Sequence, residues 1–213
     1  MSVPPVKKTS ISVVSVYSLS WILCFCVVFI WSAIGSHDYF TWFLEVLPAV
    51  VGLFVLGMSY RQFTFSRFTY ILILIHCCIL MVGGHYTYAH VPLFDTLADI
   101  LNWHRNNYDK LGHFAQGFIP AAIVSEILLR RNVMKSEGWV NFFSVIFCLA
   151  LSAFYELIEW WVAISSGQSA EAFLGTQGYI WDTQSDMMWA FIGALVFVVC
   201  FRKWLKKSIK NCY

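Results

Sequence analysis

Apolar residues fall along this chain in long unbroken runs, separated by short clusters of charge, glycine and proline. Six runs stand out, at approximately 16–34, 39–57, 68–88, 111–129, 140–165 and 186–205. A helix rises about 1.5 Å per residue, so about 20 residues cross the roughly 30 Å hydrocarbon core of a bilayer. Inside hydrocarbon every backbone N–H and C=O needs an internal partner, which leaves the α-helix or the closed β-barrel. Barrel strands alternate apolar and polar residues over about 10 positions, and these runs do not alternate. The pattern predicts an all-α, polytopic membrane protein, a six-helix transmembrane bundle forming a single integral domain over residues 1–213.

Composition reinforces the pattern. Hydrophobic residues make up 59% of the chain, charged residues only 12%, and the mean hydropathy is +0.67. A soluble domain carries roughly 25% charge. The expected partner is the lipid bilayer, with no nucleic acid. The first run follows Lys7 and Lys8 and precedes a small-residue stretch, SAIGS, as a signal peptide would. It is longer than a signal peptide's apolar region of roughly 7 to 15 residues, so an uncleaved anchor is expected. Cys24, Cys26, Cys77, Cys78, Cys148 and Cys200 fall inside the runs and Cys212 in the tail, so no disulfide framework is expected. Their spacing also lacks a paired metal motif.

Charge adds direction. With six spans drawn, 12 of the 14 basic residues share one side, leaving Arg105 and Lys110 on the other. The positive-inside rule then predicts both termini in the cytoplasm, N-in and C-in. Asp38, Asp95, Asp99, Asp109, Glu171, Asp182 and Asp186 gather on the outer side, and Glu137 is an inner exception. The longest polar connections, 89–110 and 166–185, are also outer. The short inner turns leave the irregular structure, and with it any functional loop, at the outer face.

The candidate chemistry lies at that face. Glu45, Glu156 and Glu159 sit about 9 to 14 Å below the outer ends of their runs. Asp109, His113 and His85 mark outer ends of theirs, as does Asp186. A charge inside the membrane is costly, so such side chains face the bundle interior and find partners. Asp109, His113 and Gln116 are spaced i, i+4, i+7; Ser152, Glu156 and Glu159 repeat that spacing; Asp182 and Asp186 are i, i+4. Three polar stripes facing one pocket are expected, with Asp182 or Thr183 capping the last helix and Gly175 and Gly178 turning the loop before it. Trp103, Trp160, Trp161, Trp181 and Trp189 fit an interfacial aromatic belt.

The segments YDKLGHFAQGF, SAFYELIEWW and GTQGYIWDTQSDMM, in that order, resemble a family of bacterial inner-membrane proteins typified by YjdF, and more distantly VanZ-like proteins through the Asp-Lys-x-x-His element. The likeness to the first family spans essentially the whole chain. It implies a multi-pass protein of the bacterial inner (plasma) membrane and carries no established reaction. Asp109, His113, Glu156, Glu159, Asp182 and Asp186 sit on its motifs, whereas Tyr179 stands where the pattern more often has an acidic residue.

Three functions remain open at this stage. In the first, Asp109, His113, Glu156, Asp182 and Asp186 hold a divalent metal ion such as Zn²⁺, Mn²⁺ or Fe²⁺. Glu156, Glu159, Asp109 and His113 are then the catalytic residues of a metal-assisted enzyme acting on a lipid-linked, envelope or small-molecule substrate. Carboxylates and imidazole on separate helices resemble metal sites within bundles, although HExxH is absent. In the second, Glu45, Glu156, Glu159 and His76 form a proton relay or small transporter. In the third, the acids pair with Lys110 or His113 and fix helix register for a structural or partner-binding role.

Overall fold

The computed structural model describes residues 16–166 and 177–211; Lys7, Lys8, Glu171, Gly175 and Cys212 lie outside them. Among the described residues the chain is helical throughout: α1 (Val16–Ala33), α2 (Tyr39–Ser59), α3 (Arg67–His85), α4 (Pro92–Leu101), α5 (Tyr108–Arg130), α6 (Glu137–Ser166) and α7 (Asp182–Val196), then a π-helical turn (Phe197–Phe201) leading into α8 (Arg202–Lys210). Five helices are long and apolar enough to cross a membrane: α2, α3, α5, α6 and the continuous rod from α7 through α8. α1 is apolar but shorter. Leu19, Leu23, Ile30, Phe54, Val55 and Val199 are all more than half exposed, as residues facing lipid are.

Local signals explain where the helices begin. Asp38 caps α2, its carboxylate accepting the Thr41 N–H at 2.7 Å. Ser66 caps α3 in the same way, and Pro92 opens α4 where its missing N–H costs nothing. α7 departs from expectation. Trp181, with no side-chain cap bond, precedes the helix, and Asp182 is its first residue. Neither Asp182 nor Thr183 caps it, because the Asp182 carboxylate is drawn off to Arg105 and Lys110. The stretch 89–110, expected to be a plain polar connection, holds α4, which ends where Asn102 adopts a left-handed conformation (φ 52°).

α5 is the central span, with more than half of its membrane window buried. It packs against α3, α6 and α7. α7 runs parallel to it and α6 antiparallel. The α5 and α7 backbones touch: a Cβ on Gly117 would lie 1.7 Å from the Ala190 carbonyl oxygen, and one on Gly193 would lie 2.1 Å from that of Phe114. Small residues at a crossing let two helices approach closely, the usual way spans associate without a hydrophobic driving force. Trp21, Phe25, Val46, Met81 and Ile119 fill one core beside α5, and Ala122, Cys148, Ala194, Phe197 and Leu205 fill another.

The two ends of the bundle differ. At one, Glu126 is fully buried and its carboxylate is saturated. It accepts from the Ser66 N–H (2.7 Å), Ser66 Oγ (2.9 Å), Thr69 Oγ1 (2.5 Å) and Arg130 Nη1 (2.8 Å). This clamp ties α5 to the start of α3. The other end carries the first turns of α5 and α7, the last turns of α6 and the first turns of α2, and the remaining buried acids collect there.

Candidate functional site

Parallel packing of α5 and α7 brings YDKLGH and DTQSD face to face. Lys110 Nζ donates to Asp182 Oδ1 at 2.7 Å and to Asp186 Oδ1 at 2.6 Å, with Asp109 Oδ2 at 3.5 Å. Arg105 Nη1 reaches the same Asp182 oxygen at 2.5 Å, and its Nη2 lies 3.6 Å from Asp109 Oδ2. Two cations are thus interleaved with three carboxylates, all nearly buried. Arg105 is the member that sequence reasoning missed as a site residue, since it precedes α5 in a loop 77 positions from Asp182. The Tyr179 ring covers both cations, 5.8 Å from each.

His113 sits one turn deeper. Its Nδ1 donates to Gln116 Oε1 at 3.0 Å, a partner on its own helix that orients the ring. Its Nε2 lies 3.3 Å from Asp109 Oδ1 and 3.9 Å from Asp186 Oδ2. Asp109, His113 and Asp186, all buried, each offer one ligand atom, and those atoms lie within 4.8 Å of one another. Ligands about 2.1 Å from a tetrahedral ion stand about 3.4 Å apart; the His113–Asp109 pair at 3.3 Å is already at that spacing, and the His113–Asp186 pair at 3.9 Å would have to close to reach it. The donor set, one imidazole and two carboxylates, suits Zn²⁺, Mn²⁺ or Fe²⁺.

The other expected residues take different places around this centre. Glu156 is buried on the far side of the imidazole, 3.9 Å from Nδ1, and its Oε1 has no hydrogen-bond partner. Ser152 Oγ, one turn deeper on α6, and Asp109 Oδ2 are likewise buried without one. Asp182 joins the centre through Lys110 and Arg105. Glu159 is half-buried within electrostatic range of His113, Glu156 and Asp109. Glu45 accepts from Tyr155 Oη at 3.3 Å, which ties α2 to α6, and His76 lies within range of His113. His85 is occupied elsewhere, donating to the Ser32 carbonyl at 3.0 Å beside Trp31.

This arrangement meets a sequence family across almost its whole length. Residues 17–207 match the family described as "Predicted membrane protein (DUF2238)". The chain belongs to this family. It is 46% identical over 189 residues to the "Inner membrane protein YjdF" of Escherichia coli (strain K12), covering 89% of this chain and 90% of that protein. No solved structure matches. The family match covers α1 through most of α8, so both buried charge clusters lie within it. The resemblance carried by the three sequence motifs is therefore a membership, and the five long apolar helices agree with the family's description as membrane proteins.

Proposed function

We propose that this protein is a divalent-metal-dependent enzyme of the bacterial inner membrane, using a buried carboxylate and imidazole centre to hydrolyse a lipid-linked or envelope substrate at the outer membrane boundary. One observation carries the reading: ligand atoms of Asp109, His113 and Asp186, all buried, converge from two helices to within 4.8 Å of one another. Asp109, His113 and Asp186 would hold the ion, which would supply a bound water acidic enough to act as a nucleophile near neutral pH. Glu156, with an unpartnered oxygen in the same pocket, takes the proton through an intervening water, and Glu159 holds the next position outward. Lys110 and Arg105 keep Asp182 and Asp186 in place through ion pairs.

Topology is part of the proposal. A single domain of six crossings, α1 included, with both termini cytoplasmic, puts the site at the outer boundary and the Glu126 clamp at the inner one. The positive-inside bias of the sequence supports this orientation. Alkaline phosphatase and fluorescent-protein fusions after each span test it, with a periplasmic readout expected for residues 86–107.

The metal claim is tested on detergent-purified protein by elemental analysis. The expected result is about one divalent ion per chain, lost in His113→Ala and Asp186→Asn and kept in Glu159→Gln. Wild-type protein that folds but does not bind metal on titration overturns the reading. The Tyr155 to Glu45 hydrogen bond favours one competing function, a proton relay crossing from α6 to α2. That reading predicts acid-driven flux in proteoliposomes, abolished by Glu45→Gln, in protein that needs no metal.

A further inference from the structure

The helix between α3 and α5 divides into three sectors. At about 100° per residue, Leu93, Leu97, Ile100 and Leu101 fall within one sector, Phe94 and Ala98 in the next, and Asp95, Thr96 and Asp99 in the third. The second sector faces the protein. Ala98 is buried and the Phe94 ring meets Tyr108 edge-on at 5.2 Å. Asn106 Nδ2 fastens the helix, donating to Asp95 Oδ1 at 2.7 Å and to the Val91 carbonyl at 3.0 Å. The first sector is more open: Leu93 is 65% exposed, Ile100 68% and Leu101 50%, with Leu97 half-buried.

We propose that α4 is an interfacial helix whose Leu93, Leu97, Ile100 and Leu101 stripe enters the acyl chains beside the candidate site, making the lipid surface its partner. Position selects this occupant. Six residues separate α4 from α3 and six from α5, and those linkers are tied down at Val91, Asn106 and Tyr108. The helix therefore stays near the ends of the two spans it joins, both of which expose apolar side chains of their own. Trp103, 43% exposed just past its end, is the residue type that settles at headgroup level. Asp95 and Asp99, with no Lys or Arg on the helix, leave apolar insertion as the attachment rather than charge attraction to anionic lipid. The inference is independent of metal binding. Its consequence for the site is that Tyr108, the residue before Asp109, packs against a helix seated in lipid.

The test places single spin-labelled cysteines at Leu93, Thr96, Asp99 and Ile100 on a cysteine-free background in phosphatidylglycerol and phosphatidylethanolamine vesicles. Leu93 and Ile100 should collide with dissolved oxygen and be shielded several-fold from an aqueous nickel chelate, while Thr96 and Asp99 show the reverse. Equal chelate access at all four overturns the proposal. So does spin–spin coupling at Leu93 and Ile100, which would put a second copy of the chain on the stripe. Wild-type protein supplies an independent measurement: a phospholipid with a photoreactive group in its acyl chain should label the peptide around Leu93 and Ile100, and absence of label there refutes the assignment.

Discussion

Gly117→Ala tests the claim that backbone contact between α5 and α7 builds the site. The added Cβ would stand 1.7 Å from the Ala190 carbonyl oxygen, 2.5 Å from its carbon and 2.8 Å from its Cα. Ordinary contact begins near 3.4 Å, so the two backbones must part by about 1.7 Å, and no side chain can swing aside to absorb it. Overpacking costs typically 1–3 kcal/mol, and the backbone character of the clash puts this case at the upper end. The gain in helix propensity from Gly to Ala offsets about 1 kcal/mol, leaving about 2 kcal/mol net. Taking about 2–4 °C per kcal/mol for a chain of this size, thermal unfolding in detergent should fall by about 4–8 °C. Gly52→Ala is the matched control, since its Cβ meets nothing within 4 Å; it should leave the melting temperature unchanged or raise it. Separation of the helices also widens the 3.9 Å gap between His113 and Asp186, so metal affinity should fall with stability in Gly117→Ala alone. If both variants melt together at or above wild type, the close crossing is not what holds α5 to α7.

Three further outcomes are expected. Glu126→Ala strands four donors at the opposite end of the bundle and should cost about 3–5 kcal/mol in denaturant unfolding, with Glu126→Gln intermediate because its amide keeps one acceptor oxygen. Lys110→Met leaves Asp182 and Asp186 without a shared cation and should cost a similar amount; adding Asp186→Asn should recover part of it, and strict additivity in the double-mutant cycle would refute the pairing. Asp38 accepts the Thr41 N–H, which holds its carboxyl below the usual carboxylate range. Its cap is therefore fully stabilising above the unfolded-state value near pH 4 and is lost as pH falls through the lower folded one. Asp38→Ala should cost about 1 kcal/mol at neutral pH and nothing measurable in strong acid.

The spans were legible because apolar length alone marks them, and α2, α3, α5 and α6 begin and end within a few residues of expectation. Asp109, His113 and Gln116 were legible too, since i, i+4, i+7 spacing places them on one helical face and His113 does touch both partners. Other parts depend on contacts that spacing does not encode. Arg105 joins Asp182 only because two loops fold over the same helix ends. Glu126 had a visible signal, Arg130 one turn on, but its Ser66 and Thr69 partners are about 60 residues away. The α4 stripe was readable at i, i+4, i+7, i+8 behind Pro92, and the surrounding polar residues concealed it.

The π-helical turn at Phe197–Phe201 sets the azimuth of everything after it. A π-turn holds one residue more than an α-turn needs, and one residue corresponds to about 100° of rotation. With that extra residue, Leu205 points inward with no exposure and Lys206 meets Glu137 at the mouth of α6. Deleting Val199, whose side chain is 76% exposed and packs on little, would return the rod to plain α-helix and leave α8 facing as it does now; winding the same residues as plain α-helix without the deletion would swing α8 by about 100°. Trp204 would then stand where Leu205 now packs, so the wide turn in mid-span decides which face of the basic helix the protein shows to its surroundings.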